Sequence, residues 1–307
     1  MIESKYRAQV ELLLQTIPYI AKESIFSLKG GTAINLFIRE MPRLSVDIDL
    51  TYMLIDDRET ALKNISDGLN RIKADLEKSV PGIVVTTVPR EEQDTKINCQ
   101  LAGAQIKIEV NTITRGSIEA PTLMRINKKV EESFGKFAAI NVVSFGELYG
   151  GKVCAALDRQ HPRDLFDVRL LLDNEGFTEE IKLGFMVALI SHMRTINELL
   201  KPTFIDQHQA FETQFSGMAE KPFSYEDYEK TRKELVEVVH SSLSLEDRLF
   251  LVSFKEVDPI WEFLPVSNAK DLPAVRWKLQ NLEKLKKENP QKYKMLLDTL
   301  VKTLLDY

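Results

Sequence analysis

Residues 29–50 read KGGTAINLFIREMPRLSVDIDL. A glycine pair opens a helical pattern, and two aspartates follow one residue apart on an alternating one. Gly30 and Gly31 leave room for a phosphate to approach the backbone, and the N–H groups at the start of the helix, beside Thr32, face such an anion. Asp47 and Asp49 are two residues apart, so on a strand their carboxylates project from the same face. Paired oxygen donors suit a hard divalent cation, Mg2+ or Mn2+. The combined chemistry is that of a site for a nucleoside triphosphate and its metal. Each half has a plainer reading. A D-x-D can be two solvent-facing acids, and a G-G between strand and helix can be only a tight turn. Ser45, two residues before Asp47 and expected on its strand face, adds weight to the first reading. So does Glu109 in IKIEV, a third acid that either completes a metal site or is an ordinary exposed glutamate.

A second cluster, KVCAALDRQHPRDLFD, spans Lys152 to Asp167. Lys152 and Arg159 are seven apart and share a helix face, while Arg163 with Asp167 and Asp164 with Asp167 stand at i,i+4 and i,i+3. Surface ion pairs lacing two helices would explain this, each worth about 0–1 kcal/mol. The alternative is that Lys152 and an arginine bind triphosphate oxygens while an aspartate orients them or accepts a proton. His161, before Pro162, reads as a loop histidine, and Cys99 and Cys154 as small buried hydrophobes.

These residues need elements to position them. An amphipathic helix covers residues 3–23, a strand 26–30, a helix 32–40 ahead of Pro42, a half-buried strand 45–53, and a charged helix 57–79. Three β-rich runs, PGIVVTTVPR, TKINCQLAG and AQIKIEVNT, predict an antiparallel continuation of the sheet, so that residues 24–112 make a mixed α/β unit. From about residue 143 the pattern is helical. Ser144 and Glu147 have capping-box spacing, Pro162 breaks the run, Gly176 stops the next helix, and TEEIKLGFMVALISHMRTINELL reads as one further helix. A last amphipathic helix covers roughly 289–306. The expected domains are residues 1–142 and 143–307, an α+β chain with a helical bundle beside the sheet and a cleft between them.

Composition narrows the classes. The 307 residues are 44% hydrophobic and 28% charged, with a net charge of −5, so the chain can bury real cores and is not coated for nucleic acid. Nothing approaches the roughly 20 apolar residues of a membrane span. Two unrelated cysteines argue against a disulfide scaffold or zinc site, and with a start unlike a secretory signal they predict a cytoplasmic protein. The lysine-rich stretch KLQNLEKLKKENPQKYKM is expected to be a solvated helix face.

Taken together, KGGTAINLFIREMPRLSVDIDL, IKIEV and KVCAALDRQHPRDLFDV resemble the AbiEii family of nucleotidyltransferase toxins, which includes the MenT-type toxins. The matched segments run from residue 29 to 170, and the C-terminal half carries none. The resemblance implies a polymerase-β-like nucleotidyltransferase core, a mixed sheet with helices, joined to a C-terminal helical bundle. It implies a toxin of a type IV-like toxin–antitoxin or abortive-infection pair, encoded beside an AbiEi-type antitoxin. It also implies transfer of a nucleotide from an NTP to RNA, at the acceptor end of tRNA. Carried over by position, Gly31 and Ser45 hold phosphates, joined by Gly30 and Thr32. Asp47 and Asp49 bind metal with Glu109 as third acid, Lys152 binds triphosphate, and Asp164 is a second essential acid. Arg159, Arg163 and Asp167 complete the motif. Many transferases of the wider superfamily carry Asp where Glu109 stands, which leaves the number of metals open.

The expected reaction is in-line attack of an acceptor hydroxyl on the α-phosphorus with loss of pyrophosphate. Lys152 would stabilise the leaving phosphates, and Glu109 or Asp164 would activate the hydroxyl. Two rivals stand beside it: a protein or small-molecule acceptor, and a non-enzymatic module whose nucleotide site regulates association. A phosphate on Ser45 would repel a triphosphate.

Overall fold

The computed structural model describes residues 4–90 and 93–306. It separates into two units, Met1–Ser144 with Gly217–Lys221, and Phe145–Ser216 with Pro222–Tyr307.

In the first unit, helix α1 (Ser4–Ile20) precedes strand β1 (Phe26–Lys29). The chain then winds through α2 (Gly30–Thr32) and a wider turn over Ala33–Ile38. That turn is closed by an i→i+5 bond from Arg39 N–H to Ile34 O, 2.8 Å. Strand β2 (Asp47–Tyr52), helix α3 (Arg58–Ser79) and strands β3 (Val84–Arg90), β4 (Gln93–Leu101) and β5 (Ala104–Asn111) follow. Strand β6 (Thr122–Arg125), helix α4 (Lys128–Phe134) and strand β7 (Ala139–Val142) complete the unit. Among the described residues these strands form one seven-stranded sheet, ordered β3-β4-β5-β2-β1-β7-β6.

Two expectations need correction. The meander β3-β4-β5 is antiparallel as predicted, but it joins β2 in parallel through β5. The sheet also continues past residue 112, because β7 pairs with β1 in parallel and β6 pairs with β7. Both added strands have four residues, too short for alternation to mark them.

Alternation explains the sheet's two faces. Val142, Leu28, Leu50 and Val110 stand opposite one another across four strands, as do Ile48, Ile108 and Ile97 across three. All are buried on the face covered by α1 and α3, whose own Leu13, Ile17, Ile65, Leu69 and Ile72 are equally buried. The other face is polar. One row runs Lys29, Asp49, Glu109, Lys96, and the next Asp47, Lys107, Asn98.

The second unit is helical in its described residues: α5 (Phe145–Arg159), α6 (Pro162–Asn174), α7 (Glu179–Ser191), α8 (Ile196–Leu200), α9 (His208–Gln214), α10 (Tyr225–Ser242), α11 (Leu245–Lys255), α12 (Pro273–Glu288) and α13 (Pro290–Leu305). The run expected as one helix over residues 178–200 breaks at His192, whose backbone is extended; Arg194 N–H then bonds His192 Nδ1 at 3.1 Å. Helices α5 and α7 cross in close contact. A Cβ on Gly184 would lie 2.0 Å from the Gly146 carbonyl oxygen, so only glycine permits this approach. Glu180 secures the same crossing by accepting from Gly146 N–H at 2.9 Å. No described helix is long and apolar enough to cross a membrane.

Candidate active site

The first unit gathers Gly30, Gly31, Thr32, Ser45, Asp47 and Asp49 where the β1–α2 turn meets the start of β2. Gly30 has φ +74°, and a Cβ there would sit 2.6 Å from Asp49 Oδ2, so the glycine is fixed by backbone conformation and by the acid beside it. Strand β2 starts at Asp47, which places Ser45 ahead of it rather than on its pleat. Ser45 still belongs to the cluster. Its Oγ lies 3.0 Å from Thr32 Oγ1, and Thr32 also donates to the Asp47 backbone oxygen.

Beside Gly31 stands a residue that the sequence did not mark. A Cβ on Gly31 would be 2.7 Å from an Arg43 guanidinium nitrogen and 3.0 Å from Ser45 Oγ. The space this glycine leaves is therefore shared with a cation. Arg43 is 3% exposed, and Nη1 donates to the Leu44 carbonyl at 2.8 Å. Residues 217–221 hold this loop. Arg43 bridges to Ala219, Leu44 N–H bonds Met218 O at 2.9 Å, and Glu220 N–H bonds Pro42 O at 2.9 Å.

Asp47 and Asp49 are half-buried on the polar face, in register with Lys107 and Glu109 of β5. Lys107 Nζ lies 2.9 Å from Glu109 Oε2. Burial works to lower the Lys107 pKa, but the bond to Glu109 and the field of Asp47 and Asp49 outweigh it and raise it. Among the described residues no three acids, histidines or cysteines gather as a metal-binding group. Glu109 is thus not drawn onto a common point with the aspartates. The pair Asp47–Asp49 by itself offers the oxygen-only donors that Mg2+ or Mn2+ prefers. From Asp49 onward a cavity of about 510 Å³ opens over this face, lined by Lys29, Asp49, Thr95, Lys96, Glu109 and Asn111, among others.

The second unit assembles Lys152, Arg159, Asp164 and Asp167. Helix α5 presents Lys152 and Arg159 seven residues apart, and α6 carries the acids in its first turns. Lys152 Nζ lies 2.8 Å from Asp164 Oδ1 and 3.0 Å from Asp167 Oδ2, with all three side chains buried. Arg159 grips Asp164 through two contacts, 2.5 Å and 3.0 Å, yet its own side chain is 62% exposed. Burial alone would raise the Asp164 pKa, but Lys152 and Arg159 overcome it and hold the carboxyl far below its usual range. Arg163, in the same first turn, is half-buried.

The corner between the two helices is built by Gln160 and His161. Gln160 adopts φ +50° and is buried. Its carbonyl accepts from Tyr228 Oη at 2.9 Å, its Nε2 donates to Thr203 O at 2.9 Å, and its Oε1 accepts from Arg232 at 3.1 Å, which offsets the backbone strain. His161 caps α6, accepting from Arg163 N–H at 3.1 Å, with Pro162 at the first helical position. The histidine's role is therefore structural, and burial lowers its pKa. Cys99 and Cys154 are buried and free, their thiols pushed up to about 12 by burial.

The model of the family described as nucleotidyl transferase AbiEii toxin, type IV toxin–antitoxin system, matches residues 12–281. No curated protein matches the chain in sequence. Among solved structures, the chain is similar in fold to MenT4, the nucleotidyltransferase toxin Rv2826c of Mycobacterium tuberculosis H37Rv. The TM-score is 0.61 at 12% identity, covering 90% of this chain and 93% of that one. The polar sheet face with its acid pair, and the family match across most of the chain, agree: the chain belongs to the AbiEii nucleotidyltransferase toxin family.

Proposed function

We propose that the protein transfers a nucleotide from an NTP to a hydroxyl at the 3′ acceptor end of tRNA in the cytoplasm. Translation and growth would then stop unless a cognate AbiEi-type antitoxin, encoded nearby, restrains it. The observation that carries the reading is the placement of Asp47 and Asp49 on one face of β2, directly after a glycine turn lined by Thr32, Ser45 and Arg43. A divalent cation, Mg2+ or Mn2+, held by Asp47 and Asp49 would neutralise charge on the triphosphate. Glu109, in register with Asp49 on the neighbouring strand, would be a proton acceptor.

The chain's own residues supply the rest. Gly31, Ser45 and the buried Arg43 guanidinium border the position assigned to the phosphates, where a fixed cation counters charge without having to reorganise. Glu109 is the better candidate for the acceptor's proton. Asp164 is held so firmly ionised that it is a weak base. Lys152 is already engaged by two carboxylates, and we assign it the task of fixing them. Within the second unit, the exposed charge of Arg159 is the group we assign to bind anionic oxygen, with Arg163 on the following helix.

The test is transfer of label from each NTP to total RNA by wild-type protein and by Asp49→Ala. The variant should lose on the order of 10²–10³-fold in rate, the scale expected for deleting one preorganised charged group. Its induction in cells should also leave growth unaffected. Full activity in Asp49→Ala would defeat the site. Label appearing in protein or a small molecule, with RNA blank, would move the acceptor assignment elsewhere.

A further inference from the structure

We infer that the cavity of about 510 Å³ over Asp49 and Glu109 seats the 3′-terminal nucleotide of a single-stranded acceptor, with Lys96 pairing to its backbone phosphate. This rests on the nucleotidyl-transfer reading and adds where the acceptor enters and what holds it.

The first argument is positional. The glycine turn, Thr32 and Ser45 meet β2 at its beginning: Thr32 donates to the Asp47 backbone, and Ser45 lies against Thr32. The cavity starts at Asp49 and runs the other way, toward Glu109 and the end of β5 at Asn111–Ile113, and Asp47 does not line it. The acid pair thus divides the polar face into two places. Displacement at phosphorus needs the entering oxygen in line with the leaving one. With the triphosphate at the turn, the hydroxyl must arrive from the cavity. The acceptor oxygen then bonds to the α-phosphorus, the bond from that phosphorus to the α–β bridging oxygen breaks, and pyrophosphate leaves with the electron pair. The hydroxyl proton passes to Glu109 and on to water.

The second argument is chemical. Lys96 stands directly across from Glu109 in the row Lys29, Asp49, Glu109, Lys96, with Val88 of β3 beyond it. Each acid of that row therefore has a lysine on its outer side. Among the described residues the Lys96 ammonium has no ion-pair partner, whereas Lys107 on the neighbouring row is engaged by Glu109. An ammonium lining the same cavity as Asp49 and Glu109 fits a ligand with an anionic backbone and a neutral, hydroxyl-bearing end. A phosphodiester chain ending in a free 3′ hydroxyl is such a ligand. Val88 and Ile113 give the walls an apolar surface for a base, and Thr95, Asn111 and Thr112 are polar neighbours for a sugar. The volume lies within the range of about 300–1,000 Å³ usual for small-ligand pockets.

The experiment compares wild type, Lys96→Glu and the milder Lys96→Gln. Binding of a fluorescein-labelled single-stranded RNA with a free 3′ hydroxyl is followed by anisotropy across a salt series, without NTP. NTP binding is measured separately by calorimetry without RNA, and melting curves confirm folding. Lys96→Gln should weaken RNA binding severalfold and Lys96→Glu roughly tenfold or more. The slope of log K against log salt should fall by about one, the value for one lost phosphate contact. NTP affinity should stay within twofold. If both folded variants bind RNA with wild-type affinity and slope while wild type labels RNA, the cavity assignment fails and the transfer reading survives. An equal loss of NTP affinity would place Lys96 on the triphosphate and overturn the assignment. If wild type labels no RNA at all, both readings fall together.

Discussion

Lys152 Nζ and Asp164 Oδ1 lie 2.8 Å apart with side chains only 7% and 2% exposed, and Asp167 closes on the same ammonium. Charges so placed cannot be rehydrated when a partner is removed. Lys152→Ala leaves two carboxylates buried and should cost about 3–5 kcal/mol. Arg159→Ala leaves buried Asp164 still paired with Lys152 and should cost less, about 1–3 kcal/mol. Thermal melting distinguishes the roles: Lys152→Ala should lower the melting temperature by much more than Arg159→Ala. The opposite pattern would refute the division of labour between these two cations.

The same aspartate sets an acid limit on stability. Its carboxyl titrates at 3.8 in a free chain and well below that when folded. A depressed folded value means that the stabilisation is complete above about pH 4 and is lost as pH falls from there toward the folded pKa. Asp164→Asn should therefore be less stable than wild type at neutral pH, and the gap should narrow on acidification. Urea midpoints measured at pH 7, 4 and 3 check this. A gap that stays constant would show that Asp164 is not the titrating group.

Lys107 places a positive charge among Asp47, Asp49 and Glu109. Removing it with Lys107→Met should make the acid cluster more attractive to cations. One unit charge about 4 Å away is worth about 1 kcal/mol in water and about 4 kcal/mol near a protein surface, so Mn2+ affinity should tighten by at least about threefold to tenfold by calorimetry. Unchanged affinity would mean that Lys107 swings clear of the acids in solution.

The crossing of α5 and α7 tolerates no side chain at its centre. A Cβ at Gly184 meets the Gly146 backbone oxygen at 2.0 Å, and backbone cannot turn aside as a flexible side chain can. Gly184→Ala should destabilise by about 3 kcal/mol, the upper part of the usual overpacking range. Gly151→Ala on α5, where a Cβ meets nothing, should be neutral or slightly stabilising. Paired denaturation curves make the comparison. Equal effects would mean that the two helices separate easily.

What the sequence disclosed followed its local periodicity. Alternation over residues 45–53 placed Asp47 and Asp49 on the polar face of a strand, and IKIEV did the same for Glu109. Lys107, which the structure adds to that face, turns its ammonium toward one acid, and spacing cannot reveal that. Arg43 was illegible because a lone arginine between Pro42 and Leu44 has no repeat, and its burial depends on residues 217–221, far along the chain. The charged run from Lys152 to Asp167 could equally have been a surface lattice. Its burial comes from the tight corner at Gln160, whose carbonyl and side chain find their hydrogen-bond partners 43 or more residues away.

Residues 217–221 have a consequence for how such a gene can fail. The first unit's sheet ends by residue 142, yet the loop carrying Arg43 and Leu44 is tied by backbone bonds to a segment translated some seventy residues later. A ribosome that stops, or a frameshift, anywhere between the two would release all seven strands without the strap that holds Arg43 beside Gly31. A truncated product would then carry the acid pair but not the finished turn. If the turn serves as proposed above, that order of assembly would leave incompletely synthesised toxin disarmed.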